Sequence, residues 1–130
     1  MPAYIVEKLP NEPIILYAMS KNFSVNRDLE SSAQERQSLL DAQPEPVYLI
    51  MDYSEISVSF DDLMVALNRL GRGTATLYHH PNIGKLLVVA PSPVFRHSFE
   101  NMAASELYGH LESAIFYTRA EALEFARAGR

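Results

Sequence analysis

The order of apolar and polar positions divides the chain into short strands and amphipathic helices. Residues 3–9 (AYIVEKL) and 13–19 (PIILYAM) are predicted to be strands, and the turn-prone spacer 10–12 between them predicts a hairpin. Two later runs, 47–51 (VYLIM) and 85–90 (KLLVVA), are apolar almost throughout. A continuous apolar run is typical of a strand covered on both faces, so we expect these two strands near the centre of a sheet.

Apolar residues at helical spacing predict two helices, at about 24–43 and 60–70. The stripe of the first helix consists of Leu29, Ala33, Arg36 and Leu40. The stripe of the second helix consists of Phe60, Leu63, Met64, Leu67 and Leu70. Prolines after the first helix and Gly71 after the second predict where these helices end.

The last part of the chain predicts a third helix, a short strand and a fourth helix. Ser92 followed by Pro93 has the pattern of an N-cap and a first helical residue. The short strand is predicted at 114–117 (AIFY). Thr118 and Glu121 have the spacing of a capping box, which predicts a final helix that ends near Ala128.

The predicted order is β-β-α-β-α-β-α-β-α, an α/β fold. Strands that alternate with helices imply right-handed crossovers and a mixed, mainly parallel sheet packed against helices, with the opening hairpin adding one antiparallel pair. We find no repeat, linker or low-complexity segment in the 130 residues. We therefore expect one domain that spans residues 1–130.

Composition narrows the classes of function. The net charge is −5, from 11 basic and 16 acidic residues, which is the wrong sign for a nucleic-acid-binding protein. The chain has no cysteine, which excludes thiolate catalysis and cysteine-based metal sites. No signal peptide is visible, and no apolar run is long enough to span a membrane. We expect a cytoplasmic protein that binds neither nucleic acid nor a cofactor.

Two stretches resemble the STAS fold of the SpoIIAA-like anti-sigma-factor antagonists. They are VYLIMDYSEISVSFDDLMVAL, at 47–67, and LLVVAPSPVFRHSFENMAASELYGHLESAIFYTRAEALEFAR, at 86–127. The first is similar to a STAS strand, the loop with an aspartate and hydroxyl groups, and the next helix. The second is similar to the final strand, helix, strand and helix. The resemblance implies a bacterial regulatory domain that binds a protein partner and catalyses no reaction of its own.

The resemblance also places a switch at the start of the helix after the third strand. In the antagonists a serine there is phosphorylated by a partner kinase, within a motif that reads Asp-Ser-Ser-Gly or similar. Aligned with it here is Ser59-Phe60-Asp61-Asp62, so Phe60 and Asp61 stand at the two serine positions. We expect the kinase-operated switch to be lost, although Ser57 or Ser59 would supply an acceptor in a shifted register.

The same residues have a structural and a functional interpretation. Ser59 and Asp62 have capping-box spacing, and Asp61 and Asp62 both favour the first turn of a helix through its dipole. This interpretation is a helix start. The functional interpretation is an acidic docking edge for a partner, formed by Ser57, Ser59, Asp61 and Asp62.

Three further polar residues are candidates for chemistry. Asp52 ends a buried strand, where open α/β sheets place functional groups, and the alternative is a turn former that bonds to nearby backbone. His79 and His80 could bind a metal or move a proton, but adjacent residues diverge and no His-Glu-x-x-His spacing follows. The structural interpretation is a loop before a strand, and we predict no metal site.

Three hypotheses of function result. The first is a regulatory domain that acts by protein–protein interaction, with a second copy of the chain as one candidate partner. The second is a module that binds a small molecule or a lipid between sheet and helices. The third is an enzyme that uses Asp52 with His79 or His80, for which the sequence holds no complete catalytic motif.

Overall fold

Five strands form one mixed sheet in the computed structural model, which describes residues 3–55, 81–90, 93, 97 and 113–129. The strands lie in the sheet in the same order as in the sequence, β1 to β5. β1 is antiparallel to β2, and every later pair is parallel. The strands are β1 (Tyr4–Lys8), β2 (Ile14–Met19), β3 (Val47–Asp52), β4 (Ile83–Val89) and β5 (Ser113–Phe116). This confirms the predicted α/β class and the mixed, mainly parallel sheet.

Two helices are described, α1 (Val25–Asp41) and α2 (Arg119–Ala128), and they correspond to the first and last predicted helices. The helix predicted at 60–70 lies outside the described residues. Of the helix predicted to begin at Ser92, only Pro93 and His97 are described, and both are helical and exposed. None of the helices described is long and apolar enough to cross a membrane.

The hairpin between β1 and β2 closes where the sequence predicts it. The Leu9 amide donates to the Ile14 carbonyl at 2.9 Å, which ends the pairing of the two strands. Asn11, in the spacer, has a φ angle of 61°. Asparagine tolerates this left-handed conformation better than most residues, so the chain can reverse here without a glycine.

The sheet is covered on both faces. On one face α1 packs its stripe, of which Ala33, Arg36 and Leu40 are buried, against residues of β2, β3 and β4. On the other face Ala122 and Ala126 of α2 are buried against the remaining residues of the same strands. Every residue of β2 is buried, as expected for a strand between two layers.

The amino end of β4 is tied to the end of α1. The Asn82 side-chain amide donates to the Leu40 carbonyl at 2.8 Å and to the Gln43 carbonyl at 3.0 Å. β4 begins at Ile83, two residues before the apolar run that predicted it. Ile83 pairs with Val47 of β3, and the register shifts between Val47 and Tyr48. Asn82 therefore ties the start of β4 to the last turn of α1 and to the residues just after it.

Candidate functional site

Asp52 lies at the carboxyl end of β3, a central strand of the sheet, and is only 2% exposed. Its Oδ1 accepts a hydrogen bond of 2.9 Å from the Ser54 amide. Its Oδ2 accepts one of 2.6 Å from Nε of Arg119. One carboxylate thus holds both the loop after β3 and the first residue of α2. The bond to Ser54 is the nearby backbone contact that the turn-former interpretation predicts.

The main chain around Asp52 remains paired beyond the strands themselves. The Tyr53 amide donates to the Val89 carbonyl at 2.9 Å, and the Ala90 amide donates to the Phe116 carbonyl at 2.9 Å. The carboxyl ends of β3, β4 and β5 are therefore fixed relative to one another. Past this rigid edge, Ser54 and Glu55 are exposed.

Arg119 is the residue of this site that the sequence did not reveal. Its side chain is 38% exposed and forms an ion pair with Asp52. It occupies the first position of α2, where a cation is unfavourable because the helix dipole is positive at that end. An arginine at the start of a well-capped helix is thus a signal of a nearby acid, but it does not identify which acid.

The cap of α2 sets the position of Arg119. The Thr118 hydroxyl accepts from the Glu121 amide at 3.2 Å, and the Thr118 amide donates to Glu121 Oε1 at 3.1 Å. These two bonds form the predicted capping box and satisfy two backbone donors that the helix start leaves open. The direction of α2, and with it the Arg119 backbone, is fixed next to Asp52.

A second polar cluster lies on the other face of the sheet, beneath α1. The guanidinium of Arg36 lies 5.5 Å from the ring centroid of Tyr17, and its Nη1 is 3.7 Å from Sδ of Met51. The Tyr17 hydroxyl is hydrogen-bonded to the Ser32 hydroxyl, and the Tyr53 hydroxyl lies 3.8 Å from the same sulfur. All five residues are buried.

The two clusters meet at the end of β3. Side chains alternate along a strand, so Asp52 points to the face covered by α2, while Met51 and Tyr53 point to the face covered by α1. Chemically, the first cluster is a carboxylate whose two oxygens both accept hydrogen bonds. The second combines a permanent cation with phenol and serine hydroxyl groups inside an apolar layer.

The other residues predicted to form a site lie outside the described residues. They are Ser57, Ser59, Asp61 and Asp62 of the candidate docking edge, and His79 and His80. Asp52 alone among the predicted site residues is described. The described chain does carry the strand that leads into the docking edge, as far as Glu55.

Comparisons with known proteins bear on the fold. No family model matches the chain, and no curated protein matches it. One solved structure that it resembles is an uncharacterized protein of the DUF3478 family, with a SpoIIAA-like fold, from Shewanella loihica. The TM-score is 0.60 at 13% sequence identity, over 95% of this chain and 92% of that one. The likeness covers nearly the whole of both chains, so this chain has a SpoIIAA-like α/β fold.

Proposed function

We propose that this protein is a non-enzymatic regulatory domain that binds a protein partner at the carboxyl end of β3 and the segment that follows it. The observation that carries the proposal is the double engagement of Asp52, whose two oxygens bond to Ser54 and Arg119. A carboxylate used in this way anchors a loop. A general base needs an oxygen directed at a substrate proton.

The anchored loop leads directly into the acidic segment that the sequence marks as a docking edge. Ser54 and Glu55 are exposed, and Asp61 and Asp62 come six and seven positions after Glu55 in the sequence. Functional surfaces of open α/β sheets lie beyond the carboxyl ends of the strands, because loops from several strands meet there. An acidic edge at this place would bind a basic patch on the partner, with the strength of binding decreasing as salt increases.

The proposal includes the loss of the kinase-operated switch. Phe60 and Asp61 stand at the positions of the two serines of the resembled motif. A carboxylate carries a constant charge of −1 at neutral pH, whereas a phosphoserine adds roughly −2 only when a kinase has acted. The docking edge would therefore be permanently charged. Intact mass of the protein from its native cell should show no phosphate, and phosphate on Ser57 or Ser59 would contradict this part.

The partner-binding proposal can be tested by capture from native-cell lysate with quantitative mass spectrometry. We expect a protein captured by the wild type to be lost with the double variant Asp61→Lys/Asp62→Lys. The matched control is Glu124→Lys, which places a new positive charge on an exposed position of α2. Equal capture by all three proteins would place the partner surface elsewhere, and circular dichroism checks that the double variant is folded.

The buried cluster beneath α1 favours one second candidate, a binding site for a lipid-like acid. Arg36 is fully buried in an apolar layer that also contains the Tyr17 and Tyr53 hydroxyls. A cation and hydroxyl groups inside apolar surroundings are the features that hold the head of an amphipathic acid. Native mass spectrometry would detect a co-purifying molecule, and Arg36→Met should then abolish it. A wild-type mass equal to that of the chain alone would oppose this candidate.

A further inference from the structure

The outer edge of β1 carries backbone groups directed away from the sheet. The Ser20 amide donates to the Ala3 carbonyl, and the Leu9 amide donates to the Ile14 carbonyl. Residues of an antiparallel strand alternate between bonding to the neighbour and facing away from it. In the register of β1 and β2, Ile5 and Glu7 therefore bond to β2, whereas Tyr4, Val6 and Lys8 direct their amides and carbonyls outward. β1 is the last strand on its side of the described sheet.

The side chains along β1 divide into an apolar and a charged half. Ile5 is 40% exposed, one of few large apolar side chains in the described chain with that much exposure. Its neighbours Tyr4 and Val6 pack against the core beneath α1. The charges Glu7 and Lys8 come at the far end of the strand, and the Lys8 ammonium donates to the Leu9 carbonyl of its own chain at 3.1 Å.

We propose that β1 pairs antiparallel with β1 of a second copy of this chain, with Ile5 on the two-fold axis. This register sets Ile5 opposite Ile5 of the second copy in a pair without mutual hydrogen bonds, where side chains approach most closely. It sets Tyr4 opposite Val6 of the second copy, an aromatic and β-branched pair of the kind that stabilises sheets. The outward amides and carbonyls of Tyr4 and Val6 would bond across the axis.

The register also favours a second copy over other occupants of the edge. It places the apolar residues Tyr4 to Val6 of one copy opposite the same residues of the second copy. Glu7 then lies opposite Ala3 of the second copy, so no like charges face each other directly. A strand with charges near its middle would be protected against such pairing. Here only one end is charged, and the five-stranded sheets of two copies would become one continuous sheet.

The cysteine-free sequence permits a direct test of the register. In the proposed dimer the Cα atoms of the two Ile5 residues lie about 4.5 Å apart, within the ~4.4–6.8 Å range of disulfides. Glu7 and its copy lie about 14 Å apart along the strands, since each residue advances ~3.4 Å. Under mild oxidation Ile5→Cys should become a covalent dimer, and Glu7→Cys, the matched control on the same face, should not.

Sedimentation velocity across a range of concentrations tests the association itself. The wild type should be dimeric, and Ile5→Lys should raise the dissociation constant at least about tenfold, because it opposes two like charges at the axis. Tyr117→Lys, next to the opposite edge strand β5 and also exposed, should leave the dimer unchanged.

Three results would overturn the proposal. The first is a wild type that is monomeric at every concentration. The second is a dimer that Tyr117→Lys separates and Ile5→Lys does not, since the interface would then be at β5. The third is a disulfide that forms as readily with Glu7→Cys as with Ile5→Cys. The cysteine variants introduce no charged side chain, so they remain informative if Ile5→Lys fails to fold.

Discussion

The Nε atom of Arg119 donates a hydrogen bond of 2.6 Å to Oδ2 of Asp52, a residue 67 positions earlier in the chain. The carboxylate is buried, whereas the guanidinium is partly exposed. Removal of the arginine would therefore leave a buried charge with one fewer partner, and removal of the aspartate would leave a cation that can still reach water. The two partners should differ in what their loss does to stability.

We expect Arg119→Met to lower the free energy of unfolding by about 1–3 kcal/mol, because the Asp52 carboxylate loses a charged partner in a buried position. Urea unfolding monitored by circular dichroism measures the change. The control is Arg127→Met, which breaks a more exposed ion pair with Glu12 and should have a smaller effect. Equal losses of unfolding free energy in the two variants would mean that the burial of Asp52 does not strengthen its ion pair with Arg119.

The double variant Asp52→Asn/Arg119→Met refines this prediction. A neutral amide at position 52 can still accept a hydrogen bond from the Ser54 amide, and it leaves no buried charge behind. We expect the double variant to be more stable than Arg119→Met alone. The Asp52→Asn variant alone completes the comparison. If the double variant loses as much free energy of unfolding as the two single variants together, Asp52 and Arg119 are not energetically coupled.

The two described helices offer a matched comparison of helix caps. Thr118 begins α2 with a full capping box, whereas Ser24, the N-cap of α1, forms no side-chain cap bond. Thr118→Ala should lower the free energy of unfolding by about 1 kcal/mol, and Ser24→Ala should lower it much less. Urea unfolding of both variants checks this, and a larger loss for Ser24→Ala would contradict the assigned caps.

The start of α1 predicts a dependence of stability on pH. A hydrogen bond from the Arg27 guanidinium holds the pKa of Asp28 below its ordinary value, assisted by the Ser24 amide and opposed by burial. A carboxyl whose pKa is lower in the folded state stabilises the fold fully above its unfolded pKa. That contribution is lost as pH falls from about 4 through the folded value.

Asp28→Asn should therefore be less stable than the wild type at neutral pH and approach it as pH falls below about 4. Urea midpoints at a series of pH values measure the difference. Glu35→Gln removes the same charge from an exposed position of α1 and controls for net charge. A difference between Asp28→Asn and wild type that stays constant down to the acid limit would refute the lowered pKa.

Close packing at the end of α2 gives a fourth prediction. A Cβ atom on Gly129 would overlap the hydroxyl of Tyr48, although the backbone of Gly129, at φ −79°, suits any residue. Gly129→Ala should therefore destabilise the fold by about 1 kcal/mol through overpacking. In a Tyr48→Phe background the same substitution should have less effect, because the hydroxyl is absent. An equal loss in both backgrounds would exclude this contact as the cause.

Local patterns in the sequence predicted most of the described strands and helices. The apolar runs predicted the central strands, and Thr118 with Glu121 predicted the start of α2 because a capping box depends only on residues three positions apart. Strand ends were less predictable. β5 ends at Phe116, and Tyr117, predicted to lie within the strand, comes after it and is exposed.

Contacts between distant parts of the chain were beyond such patterns. The sequence predicted that Asp52 would bond to nearby backbone, but its pairing with Arg119 depends on where α2 crosses the sheet. Helical spacing placed Arg36 on the buried stripe of α1, yet periodicity carries no information about the aromatic ring that lies beneath it. Side-chain amides such as Asn82, which bonds to carbonyls about 40 residues away, are equally invisible to local rules.

The strand order β1-β2-β3-β4-β5 has a consequence for synthesis on the ribosome. Each described strand pairs with the described strand that was made before it, so none of these five has to be inserted between two that are already joined. The sheet can grow from its amino-terminal hairpin in one direction as the chain emerges, with each addition covering the previous edge. Within the described sheet the outer edge of β1 takes no part in this growth, so a second copy that pairs with it, as proposed above, would not compete with the addition of the next strand.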